Sequence, residues 1–137
     1  GSMLLGISLS VLSIEFIETN IHFDHNYAIN AAPVVAIGTL FIPLFDLLRV
    51  FTIRILRKRS PFKPDKIHLH HLLLKLGFNH LYSTLILSFF TIFLIVIAFI
   101  FQNIGTYILG GLLFLITLLF SLLLVYLVKA KKKEEKK

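Results

Sequence analysis

Apolar residues in this chain come in long runs, and the polar ones collect between them. The pattern predicts four apolar helices, over residues 3–17, 31–56, 81–101 and 104–128. The last two are each long enough to cross the roughly 30 Å hydrocarbon core of a bilayer. The first, at 15 residues, would be only about 22 Å long at ~1.5 Å per residue. The second opens apolar, runs through Leu48 and continues as a basic helix toward Lys58. Pro43 leaves the carbonyl of Thr39 without a helical donor, which predicts a kink there. Only Gln102 and Asn103 separate the last two segments, so a tight antiparallel hairpin is expected. Pro61 and Pro64 stop the helix between the second and third spans. Asp65 then reads as the N-cap of a short helix running to Leu76, with Gly77 just past its end. Leu69, Leu72, Leu73 and Leu76 give that helix one apolar face. Its polar residues divide, with His68, His71 and Lys75 on one flank and His70 on the other.

Composition places these elements in a membrane. Of 137 residues 57% are hydrophobic and 14 are Phe, with a mean hydropathy of +0.89. A soluble domain of this make-up would expose large apolar patches and associate. There is no Cys, which excludes a disulfide scaffold and a thiolate nucleophile. The net charge of +7 is not scattered. Eight Lys and Arg lie from Arg49 to Lys75, after the apolar part of the second segment, and six in the tail 129–137, which accounts for all 14. The connections 18–30 and 102–103 have none. By the positive-inside rule both basic segments are cytoplasmic. The expected fold is therefore an all-α integral membrane protein with four transmembrane helices and both termini cytoplasmic. An amphipathic helix lies in the cytoplasmic loop 54–80. Positive charge in this setting points to topology and anionic head groups rather than to nucleic acid. No basic n-region precedes the first segment, so a cleavable signal peptide is not read.

The chemistry-bearing residues sit in the basic loop. Asp46 and Arg49, three apart, share a helix face, either as an interfacial ion pair or as a functional pair at the membrane. His68, His70 and His71 admit three readings: solvated imidazoles on an amphipathic helix, a metal site, or an anion site. A regular helix splits the three, and no neighbouring Cys or Glu completes a metal shell. Arg57, Arg59 and Lys66 crowd the same segment, and guanidinium forks suit phosphate oxygens. On the connection 18–30, His22, Asp24 and His25 are read as solvated.

Several motifs here resemble one family. Pro43-Leu44-Phe45-Asp46 is followed by Arg49-Val50. Next comes Arg59-Ser60-Pro61-Phe62-Lys63-Pro64-Asp65-Lys66-Ile67-His68-Leu69-His70-His71, then Gly77-Phe78. This series resembles the last large cytoplasmic loop of bacterial undecaprenyl-phosphate N-acetylglucosaminyl-1-phosphate transferases. They are glycosyltransferase family 4 enzymes, kin of phospho-N-acetylmuramoyl-pentapeptide transferase. Lys66 stands where the family usually has Arg, which keeps the charge but not the bidentate fork. Gly1-Ser2-Met3-Leu4-Leu5-Gly6 is similar to the end of a glycine-rich family segment, and Gly-Ser-Met is equally a common tag remnant. The resemblance implies the C-terminal part of the transferase, residues 1–128, followed by the basic tail.

The same resemblance implies a reaction and a site. Such an enzyme moves an N-acetylhexosamine 1-phosphate from a UDP-sugar to a polyprenyl phosphate such as undecaprenyl phosphate and releases UMP. It works at the cytoplasmic membrane in cell-wall or lipopolysaccharide synthesis. It uses Mg²⁺, whose carboxylate ligands would lie in family motifs upstream of this chain, so no metal ligand is assigned here. The substrate-binding residues implied are His68, His70, His71, Arg57, Arg59, Asp65 and Lys66. The chain by itself is expected to be inactive. The alternative is a non-catalytic four-helix membrane protein, a transporter or assembly partner, with Glu15 as its ion-coupling residue.

Overall fold

The computed structural model describes residues 2–22, 28–29, 32–58 and 67–134. Among these the chain is all helix, with no strand. In order come α1 (Ser2–His22), α2 (Ala32–Gly38), α3 (Phe41–Leu56), α4 (Leu69–Leu76), α5 (His80–Ile100) and α6 (Thr106–Glu134). A 3-10 turn, Gln102–Ile104, joins the last two. Two helices, α5 and α6, are long and apolar enough to cross a membrane. The pair α2 and α3 adds a third if it is read as one broken span.

The break is sharp: α2 and α3 meet at 71°. It falls at Thr39 and Leu40, where Pro43 was expected to disturb the helix. Interrupting the helix there puts Pro43 in the first turn of α3, where a missing N–H costs nothing. Thr39 turns its hydroxyl back onto the Ala36 carbonyl at 2.9 Å.

The first helix is longer than expected. It continues past Glu15 and Glu18 to His22, 21 residues in all, because no glycine or proline interrupts it there. The Asn20 side chain then closes the connection to α2. Its amide donates to the Ile29 carbonyl and its oxygen accepts from the Ile29 N–H, both at 2.8 Å.

Helices α5 and α6 form the expected antiparallel pair around Gly105, whose φ is +95°. Phe90 and Phe120, fifteen positions to either side of it, stack with ring centroids 4.0 Å apart. One stripe of α6 is buried, formed by Leu109, Leu113, Thr117, Ser121 and Leu124. On α5 the buried residues are Ser83, Leu94 and Ala98. In lipid, side-chain packing, rather than transfer out of water, holds helices together. Phe45 of α3 meets Phe114 edge-on at 5.5 Å and ties α3 to the pair.

The short helix α4 docks its leucine face as the sequence predicts: Leu69, Leu72 and Leu73 are buried, and Leu76 packs against the same core. It starts later than predicted, however. Ile67 and His68 are not helical, so the N-cap position belongs to His68 and not to Asp65. At its other end Gly77 adopts φ +103°. The Gly77 N–H reaches the Leu74 carbonyl at 3.0 Å and the Phe78 N–H the Leu73 carbonyl at 3.3 Å. That is the Schellman arrangement, and it turns the chain into α5 within three residues.

Candidate functional site

An eight-residue helix is marginal by itself, and α4 is held at both ends by charges from other helices. At its N-terminus stands Asp46 of α3. The carboxylate accepts from the Leu69 N–H at 3.1 and 3.2 Å, the part His68 does not play with its own side chain. It also pairs with Arg49, at 3.0 Å to Nη2 and 3.3 Å to Nε. His68 Nδ1 lies 3.0 Å from its other oxygen. Arg49 Nη2 donates in addition to the Ile67 carbonyl. An anion thus sits at the positive end of α4 and a guanidinium braces the turn before it. Asp46 and Arg49 are 14% and 10% exposed, so this is a half-sheltered pair and not a solvated one.

At the C-terminus of α4 stands Lys131 of α6. Its ammonium donates to the Leu76 carbonyl at 2.9 Å, across 55 residues of sequence. A cation at the negative helix end is the complementary arrangement. This bond brings the end of α4 and Lys131, in the first part of the basic tail, together.

With both ends fixed, the histidines of α4 take defined positions. His68, at the N-cap, turns its Nδ1 to Asp46. His70 Nε2 lies 3.2 Å from Nδ1 of His80, the first residue of α5, and the rings stack at 5.4 Å. The rings of His70 and His71 meet edge-on at 6.0 Å. His71, Leu74, Lys75 and His80 together line an open recess of about 360 Å³. Lys75 also lines a second recess, of about 200 Å³, with Val128, Lys131 and Lys132. Arg57 caps the end of α3 through its backbone and is exposed to solvent. Arg59, Asp65 and Lys66 lie outside the described residues, as do Asp24 and His25.

Three contributors were not assigned to the site from the sequence. Asp46 was singled out, but its role as the cap of a distant helix was not. His80 is brought to His70 by the three-residue corner at Gly77, and that corner is the one local signal pointing to it. Lys131 is reached only by knowing which helix ends share a side.

Magnesium does not fit the described residues. It requires several oxygen ligands in octahedral array, and Asp46 is already neutralised by Arg49. Among the described residues no cluster of three or more His, Cys, Asp or Glu side chains could hold a metal ion. What the arrangement can do is present imidazole and ammonium groups, rigidly, to an anion.

Comparison with known proteins yields several relatives. The chain is 37% identical over 84 residues to the decaprenyl-phosphate N-acetylglucosaminephosphotransferase of Mycobacterium leprae (strain TN), covering 58% of this chain and 21% of that protein. It is 33% identical over 79 residues to the undecaprenyl-phosphate alpha-N-acetylglucosaminyl 1-phosphate transferase of Salmonella typhimurium, covering 58% and 20%. The protein of that name from Yersinia pestis is 34% identical over the same length, with the same coverage. The matches span about a fifth of these relatives. No protein-family model and no solved structure matches.

Proposed function

We propose that this chain is part of a membrane phosphoglycosyltransferase. The enzyme moves an N-acetylhexosamine 1-phosphate from a UDP-sugar to a polyprenyl phosphate, with release of UMP, for cell-wall or surface-polysaccharide synthesis. The observation that carries the reading is the capped α4. It is a short helix bearing His70 and His71, with His68 at its N-cap, fixed by Asp46 and Lys131 at the basic end of a helical bundle. Similarity to polyprenyl-phosphate transferases supports it.

The mechanism follows from charge. Both substrates are polyanions, and bringing them together requires fixed positive or hydrogen-bonding groups at the phosphates. His70 and His71 supply donors on a braced helix, with Lys75 beside them, and Arg57 and Arg59 would supply forks from the preceding turn. A helix that cannot shift keeps those donors in place as the transition state forms. Mg²⁺ would supply charge neutralisation from carboxylates outside the described residues.

The test is a chimera. This chain replaces the corresponding stretch of the Salmonella typhimurium protein, and UMP release is measured with UDP-N-acetylglucosamine, undecaprenyl phosphate and Mg²⁺. The chimera is expected to be active and the isolated chain inactive. UMP release by the isolated chain, above a lipid-only control, or an inserted but inactive chimera, overturns the reading.

We further propose four spans in the bacterial cytoplasmic membrane, counting α1 and the broken α2–α3 pair, with both termini cytoplasmic. Because the chain has no cysteine, single cysteines at Asn26, Lys63 and Lys133 test this cleanly. In intact cells an impermeant thiol reagent is expected to label Asn26→Cys alone. Labelling at Lys63→Cys or Lys133→Cys with Asn26→Cys silent would invert the orientation.

A further inference from the structure

His80 lies nine residues beyond the last histidine of the motif, yet the corner at Gly77 folds it back onto α4. We propose that the recess between α4 and the first turn of α5 is a phosphate-group site, in which His80 and Lys75 act together with His71.

Three observations lead there. First, the His80 ring is not loose: it stacks on His70 and is hydrogen-bonded through Nδ1 to His70 Nε2 at 3.2 Å. When His70 Nε2–H is the donor, the proton of a neutral His80 must lie on Nε2, which makes that nitrogen a donor as well. In that tautomer the opposite edge of the His80 ring presents a donor to the recess. Second, His71, Lys75 and His80 line one recess floored by Leu74. Three cationic or donor groups meet there from two helices, and among the described residues no carboxylate lines it. The ammonium group disfavours a metal cation and favours an anion. A phosphate, tetrahedral and doubly charged, uses donors arriving from several directions better than a planar carboxylate does. Third, the positive surface continues through Lys75 to Lys132 and to Lys131, which is bonded to Leu76. The site stands at the N-terminus of a 21-residue helix, whose dipole adds to the same sign.

The phosphate could come from a soluble diphosphate or from a lipid head group, since the recess stands at the start of a candidate span, α5. The inference deepens the transferase reading by naming where a phosphate is held. It rests on that reading only for the substrate's identity, and its test measures binding and not transfer, so each can fail alone.

The 137-residue chain, labelled with ¹³C and ¹⁵N at histidine, is placed in phosphatidylcholine nanodiscs. Inorganic pyrophosphate is titrated in while imidazole resonances are followed. His71 and His80 are expected to shift saturably, with His22 of α1 still. His80→Phe keeps a ring to stack on His70 but has no N–H, and is expected to weaken binding at least about tenfold. Lys75→Gln should weaken it several-fold and Lys133→Gln should leave it unchanged. In a second arm, discs containing phosphatidylglycerol report whether a head group occupies the site: a shift of His80 before pyrophosphate is added, and weaker apparent pyrophosphate binding, assign it to lipid phosphate. Saturation by pyrophosphate alone assigns it to a soluble one. Silence of His71 and His80 in both arms overturns the proposal. So does His80→Phe performing as wild type, because the ring would then be packing only.

Discussion

Replacing Asp46 with alanine is expected to destabilise the folded chain by about 3 kcal/mol, the lower end of what a broken sheltered ion pair costs. One carboxylate serves Arg49, His68 and the Leu69 N–H at once. Its removal takes from Arg49, only 10% exposed, the carboxylate it is paired with. It also strips the positive end of α4 of its acceptor. Asp46→Asn keeps an acceptor for Leu69 but not the charge, and should lose roughly half as much. The chain has no Trp, so helix content by circular dichroism during titration from mild detergent into dodecyl sulfate is the suitable measurement. Leu44→Ala, at an exposed position on the same helix, is the comparison. Equal midpoints for Asp46→Ala and Leu44→Ala would show that Asp46 braces nothing.

The second large effect is on turnover. In the chimeric transferase, His71→Ala and Arg59→Ala should each lower kcat/KM at least about tenfold, or about 1.4 kcal/mol of transition-state stabilisation. If these residues only seat a basic helix among anionic lipids, any nearby cation should matter equally. Lys75, a turn beyond the motif, looks from the sequence like the natural comparison. It is unsuitable, because it shares a recess with His71 and His80. Lys133, exposed near the end of α6, is the better one. Full activity in His71→Ala and Arg59→Ala, or an equal loss in Lys133→Ala, would reduce the segment to a lipid anchor.

Hydropathy was enough to locate α5 and α6 to within about a turn at their starts, and Pro43 to locate the break before α3. It could not say which faces of α5 and α6 meet. Lipid and neighbouring helix are both apolar, so the stripe from Leu109 to Leu124 carries no contrast in the sequence. The leucine face of α4 was legible because its opposite side is polar. Its start was not, because Asp65 satisfies every local rule for an N-cap while the acceptor at the observed start comes from Asp46, 23 residues away. Local reading likewise set His68 beside His71. The structure adds a partner from another helix for His68, in Asp46, and for His70, in His80, which local reading did not supply.

The grip of Lys131 on Leu76 has a consequence for biogenesis. The ribosome completes α4 well before α6 emerges, so the Leu76 carbonyl waits for its partner in α6 still to be made. In the proposed topology, an imidazole face braced at both ends of its helix takes its final form only once the hairpin of α5 and α6 is complete. A chain that stalls or is cut within α6 would leave a phosphate-binding surface only half assembled. The capacity to hold an anion is thereby tied to the completion of the membrane bundle.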